Sequence, residues 1–126
     1  MSLLRFGILI NCIDGRVQLP PVQWLKGTYH LDYVDVITEP GADKALLDGS
    51  PETVARIKAI VTFSVNSHHS NLVALAAHHD CAGNPVAKEE HWAQVRASLQ
   101  VIRFWNLPVS VVGLWINEDH QVEVIA

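Results

Sequence analysis

The sequence lacks the features that mark membrane, nucleic-acid and disulfide-stapled proteins. It holds only 2 cysteines in 126 residues, and charged residues make up just 17%. Cys12 and Cys81 lie so far apart that they read as separate thiols with separate tasks rather than as one disulfide. No run of five or more Lys and Arg occurs, and 9 basic residues against 13 acidic ones leave a formal charge of −4. A nucleic-acid partner is therefore not expected, because a phosphate backbone calls for a basic stripe. The longest apolar stretches, Leu72–Ala77 and Val109–Ile116 (broken by Ser110), fall far short of the ~18 residues of a membrane span. Phe6–Ile10 is too short for a signal-peptide core and runs directly into Asn11-Cys12-Ile13-Asp14 with no small-residue cleavage site. No glycine-rich phosphate loop is present, which speaks against a dinucleotide cofactor. The expectation is a soluble, cytoplasmic protein with no membrane partner.

What is present is an apolar content of 49%, enough for a globular chain, and a length that predicts one domain over residues 1–126. A chain of this size buries enough surface to fold without a disulfide or a metal. The run from Leu3 to Ile10 reads as a buried strand, and Asp32–Thr38, rich in β-branched residues, as a second. Pro20-Pro21 opens a short helix expected to stop near Gly27. Ser50-Pro51-Glu52 is a helix start, with a capping hydroxyl, proline at the first helical position and an acid near the positive end. Val54, Ile57, Val61 and Val65 then recur on one helical face. Asn71–Ala77 fits a third strand, and Asn84-Pro85 a cap for a helix striped by Trp92, Val95, Leu99 and Ile102 and stopped by Pro108. Val109–Ile116 is a fourth strand, and Gln121–Ile125 returns antiparallel after a turn. This alternation predicts an α/β fold: a mainly parallel four-stranded sheet flanked by helices, with a short C-terminal antiparallel strand. In such sheets chemistry collects beyond the carboxyl ends of the strands.

Two polar segments lie at such ends. Cys12-Ile13-Asp14-Gly15-Arg16 follows the first strand; an extended backbone there places Cys12, Asp14 and Arg16 on one side. His78-His79-Asp80-Cys81 follows the third strand. Taken alone, the cysteines could be buried structural thiols. Brought together by neighbouring parallel strands, Cys12, His78 and Cys81 suit zinc, which favours thiolate and imidazole and keeps a fourth position open in catalytic sites.

Cys12-Ile13-Asp14-Gly15-Arg16 resembles the Cys-x-Asp-Ser-Arg motif of the β-class carbonic anhydrases, and His78-His79-Asp80-Cys81-Ala82-Gly83 resembles their His-x-x-Cys-Gly motif. Pro40-Gly41-Ala42 stands where that family often has Asn-Ala-Gly. The resemblance implies zinc (Zn2+) held by Cys12, His78 and Cys81, with hydroxide in the fourth position attacking CO2 to give bicarbonate. It further implies Asp14 as the catalytic group that aims this hydroxide and Arg16 as the residue that holds Asp14. In part of the family the carboxylate matching Asp14 moves onto the metal and closes the site. A homodimer or higher homo-oligomer is implied as well. The sequence departs from the family at Gly15, usually Ser, and at Ala82, with Gly83 one place late. It also resembles a small, N-terminally truncated member, beginning almost at its first strand.

The remaining histidines have plainer readings: His68 and His69 complement the negative end of their helix, and His30 and His91 are ordinary surface or half-buried residues. His79, beside the metal ligands, is a candidate to carry protons out, or else a solvent-facing loop residue. Trp92, Trp105 and Trp115 read as core or subunit contacts. Three functions stay in play: a zinc lyase acting on CO2 or a linear sulfur analogue such as COS or CS2; a non-catalytic zinc-binding relative, suggested by Gly15 and Ala82; and a thiol-redox protein using Cys12 and Cys81.

Overall fold

The computed structural model describes residues 4–126, so Leu3 of the expected first strand lies outside the described residues. The elements are β1 (Phe6–Asn11), α1 (Leu19–Tyr29), β2 (Tyr33–Thr38), α2 (Ala42–Asp48), α3 (Pro51–His68), β3 (Leu72–His78), α4 (Lys88–Phe104), β4 (Ser110–Ile116) and β5 (Val122–Val124). They build one five-stranded sheet in the order β2-β1-β3-β4-β5. The first four strands are mutually parallel, and β5 pairs antiparallel with β4 through Leu114 opposite Val124. This is the expected α/β architecture.

The near-continuous apolar strands are explained by burial on both faces. Ile8, Ile10, Val73, Leu75 and Ala77 point to one side, where they meet Ile57 and Val61 of α3 and Val95, Leu99 and Ile102 of α4. Leu9, Ala74, Ala76, Leu114 and Ile116 point to the other and pack with Val17 and with Leu25 of α1. Side chains alternate along each strand, so one sequence run serves two cores.

Several boundaries differ from expectation, each for a local reason. Helix α1 passes through Gly27 and ends where His30 adopts a left-handed conformation (φ 55°), its N–H bonding the Lys26 carbonyl. Ser50 does cap α3, its hydroxyl accepting the Thr53 N–H at 3.1 Å. Asn84 does not cap α4, which begins three residues beyond Pro85 after Ala87, with no side-chain cap; its amide instead donates to Asp43 and Gln94. That helix ends at Phe104, ahead of Pro108, with Asn106 left-handed at φ 55°. The short α2 is an additional element, entered through Gly41 at φ 59°.

Candidate metal centre

Cys12 directly follows β1, and His78 is the last residue of β3, the strand beside it. Parallel pairing of Ile10 with Leu75 brings these two carboxyl ends level. Cys81 follows after a turn in which Asp80 is left-handed (φ 58°). As a result one donor atom each from Cys12, His78 and Cys81 lies within 4.8 Å of the others, and all three residues are buried. The convergence expected from the two sequence segments is present.

The three groups have the properties a metal needs. The two sulfurs are 3.9 Å apart and both cysteines are free. A disulfide would need about 2.05 Å, whereas two sulfurs on a tetrahedral zinc, each at about 2.3 Å, would be about 3.8 Å apart. The His78 Nδ1–H donates to the His79 carbonyl at 2.8 Å. Its Nε2 then carries the lone pair, and that atom is buried without a hydrogen-bond partner. An orphaned buried nitrogen is costly, and a metal would satisfy it. The donor set therefore fits zinc.

The sulfurs are electrostatically unequal. The Cys81 thiol beside it pulls the Cys12 pKa down against its burial, and the backbone N–H groups of Gly41 and Asp14 add to this. Cys81 is pushed up, first by the Cys12 sulfur and then by burial, although the amides of Asn84 and Gly83 oppose the rise. In effect one proton is held between two sulfurs, which is the proton a metal displaces on binding. Burial pulls His78 towards its neutral form, but the close Cys12 sulfur, the His79 carbonyl and then the charge on Cys12 together outweigh this, and its pKa rises.

Asp14 and Arg16 are brought to the rim, though not by an extended strand. After Asp14 the chain turns through a 3₁₀ segment, Gly15–Val17, with the Asp14 carboxylate accepting the Arg16 N–H at 2.9 Å. The guanidinium folds back on the same carboxylate, with Nη2 to Oδ2 at 2.7 Å and Nε to Oδ1 at 3.1 Å. This forked pair, led by the Arg16 hydrogen bonds, holds Asp14 well below the usual carboxylate range and pushes Arg16 higher still. Gln18 fastens the loop, its Nε2 donating to the carbonyls of Cys12 at 2.8 Å and Asp14 at 2.7 Å. Arg16 also reaches the second segment, donating to the Asp80 carbonyl at 3.1 Å and to its carboxylate at 3.3 Å. At Gly15 a side chain would have open space, so the family's Ser could be accommodated there. Gly83, by contrast, is required: a Cβ would lie 2.7 Å from the Gly41 nitrogen.

His79 is exposed at the rim, 3.9 Å from Glu118, and with Arg16, His78, Asn117 and His120 it lines a small cavity of about 60 Å³. His68 does more than face a helix end: its Nδ1–H donates to Asp35 at 2.6 Å, and its ring stacks on Phe6. His91 is not a surface residue; it is 2% exposed and donates from Nδ1 to Asp43 at 2.7 Å. Gln18 and Asp80 were not legible beside the candidate ligands, because each acts through a hydrogen bond that only the fold creates. The nearest signal was Asp80, an Asp inside the motif in a turn, where left-handed backbone is tolerated.

Residues 3–126 match a family model described as "Putative carbonic anhydrase". No curated protein matches the sequence significantly. Among solved structures, one of the tetrameric β-carbonic anhydrases of Sordaria macrospora is 13% identical, with a TM-score of 0.64 over 96% of this chain and 81% of that one. The β-carbonic anhydrase CafA of Aspergillus fumigatus is 14% identical (TM-score 0.54; 98% and 77% covered). A carbonic anhydrase from Glaciozyma antarctica is 14% identical (TM-score 0.55; 99% and 85% covered). The match over nearly the whole sequence, and the shared fold, mean that this chain belongs to the carbonic anhydrase family of β-class architecture.

Proposed function

We propose that the chain is a zinc-dependent carbonic anhydrase, hydrating CO2 to bicarbonate with Cys12, His78 and Cys81 as metal ligands and residues 1–126 acting as one domain. The observation that carries this reading is the convergence of three zinc-type donors within 4.8 Å of one another beside the Asp14–Arg16 pair. Zinc bound there would supply Lewis acidity, making water acidic enough to act as a nucleophile near neutral pH.

The chain's own residues do the rest. Asp14, ionised through its contact with Arg16, accepts a hydrogen bond from the attacking water and aims its lone pair at the carbon of CO2. Arg16 acts through Asp14: the fork of N–H groups fixes the carboxylate plane in a way a single lysine contact could not. A new C–O bond forms, one C=O electron pair moves onto oxygen, and one proton leaves per turnover. His79, exposed beside Glu118, is positioned to take that proton to solvent. We further propose that copies of the chain associate, as in the tetrameric Sordaria enzymes. Ile13 and Leu19, which flank the site in sequence, are 62% and 68% exposed and offer apolar surface for it.

Stopped-flow hydration of CO2 across roughly pH 7 to 9, the range around the pKa of a zinc-activated water, tests the reaction. Zinc-loaded wild type should exceed background, and Cys12→Ser should not. A folded, zinc-loaded protein inert towards CO2 would contradict the proposal; turnover of COS or CS2 by that protein would redirect it to a sulfur analogue.

A further inference from the structure

Behind the metal ligands lies a buried polar cluster that no step above uses. Asp43, in the first turn of α2, is 1% exposed, and its carboxylate has a different partner on each oxygen. Oδ1 accepts the Asn84 amide at 3.1 Å, and Oδ2 accepts His91 Nδ1–H at 2.7 Å. Its carbonyl accepts the Ser98 hydroxyl at 2.9 Å. Asn84 is 1% exposed and Ser98 fully buried, so the loop after β3 and helix α4 meet on one aspartate of α2 out of water. Burying a carboxylate is costly unless it is paired, and here each oxygen has a partner.

The cluster's position shows what it holds. Asp43 is two residues from Gly41, the left-handed turn that enters α2. Asn84 lies three residues after Cys81, and its own N–H donates to the Cys81 carbonyl at 3.3 Å. The Gly41 and Gly83 backbones touch so closely that a Cβ on Gly41 would lie 2.7 Å from the Gly83 carbonyl oxygen. The Asp43–Asn84 bond is thus a side-chain bolt between the Gly41 turn and the loop that carries Cys81.

Resting on the zinc reading above, we infer that Asp43, with Asn84 and His91, is a positioning residue that holds the loop carrying Cys81 against the Gly41 turn and so sets how tightly the Cys12, His78 and Cys81 site holds a metal. Partners at this remove from a metal are commonly worth about 10–100-fold in affinity.

The test compares Asp43→Asn and His91→Gln with Asp35→Asn, an aspartate that is also bonded to a histidine, His68, but on β2 away from the sulfurs. Two readouts are taken on the full chain: zinc affinity by competition with a chromogenic chelator, and hydrogen-exchange protection of the Gly41 and Gly83 amides in metal-free protein. The expected result is an affinity loss of about 10–100-fold, with faster exchange at both glycines, in the two cluster variants, and wild-type behaviour in Asp35→Asn. If Asp43→Asn does not fold, His91→Gln carries the test, because it frees Asp43 Oδ2, and with it the carboxylate that grips Asn84, while leaving the Ser98 bond to the Asp43 carbonyl in place. Folded cluster variants with wild-type affinity overturn this inference alone. Wild type that takes up no zinc overturns it together with the reading beneath it, and in that case the glycine amides can still be protected.

Discussion

Arg16 joins the two halves of the site through one side chain. Its guanidinium grips Asp14 in the first segment and reaches the Asp80 carbonyl in the second. The electrostatic result has a definite sign. The folded-state pKa of Asp14 is depressed, so its contribution to stability is fully present above about pH 4, the ordinary carboxylate range, and is lost as pH falls through the folded value. Asp14 should therefore stay ionised throughout the working range. The pH–rate profile of wild type should show no Asp14 limb above about pH 5. In Arg16→Gln the Asp14 pKa should return towards its ordinary value, visible by NMR titration of its carboxyl carbon, and kcat should fall by about 10–100-fold with lost orientation of the carboxylate. Residues of this kind were legible in the sequence because their chemistry is unusual and clustered: the only two cysteines, a histidine three residues before the second of them, and an Asp-x-Arg beside the first. Gln18 and Asp43 were not, because a Gln ahead of a helix or an Asp in a short one has no signature until distant carbonyls and amides are folded against it.

At the scale of elements, sequence patterns carried furthest where local chemistry and burial agree. The start at Ser50-Pro51-Glu52 is local, and the Ser50 cap is there. Ser50→Ala should cost about 1 kcal/mol, lowering Tm by a few degrees while leaving zinc affinity unchanged, since the cap is not part of the site. Gly113 in β4 is a packing requirement of the same scale: a Cβ there would lie 2.6 Å from the Val95 side chain of α4. Gly113→Ala should destabilise by about 1–3 kcal/mol through overpacking, read from denaturant unfolding, again with the metal centre intact. Helix α2 was illegible for the opposite reason. It is 7 residues long with no side-chain cap, too short for a hydrophobic period and held by tertiary bonds to Asp43. The Asn84 cap was misread because that side chain satisfies Asp43 and Gln94 instead of a helix end.

The whole molecule is a sheet whose order, β2-β1-β3-β4-β5, sets the two motif-bearing strands side by side. That adjacency could be expected from the parallel alternation of strands and helices, since consecutive βαβ units deliver their loops to one edge. The antiparallel β5 and the apolar groups left exposed at Ile13 and Leu19 belong to the surface, where the proposed association would occur. Light scattering during size-exclusion chromatography should give a mass that is a multiple of the single chain, and Ile13→Lys with Leu19→Lys should lower that multiple; a wild-type mass of one chain would refute association. The most direct test of the metal centre is a titration of metal-free protein with Co2+, whose thiolate charge-transfer absorption reports sulfur ligation. The expected result is saturation at one equivalent in wild type, with the band lost in Cys12→Ser and His78→Ala. Absence of the band in folded, reduced wild type would contradict the assignment of Cys12, His78 and Cys81 as a metal site.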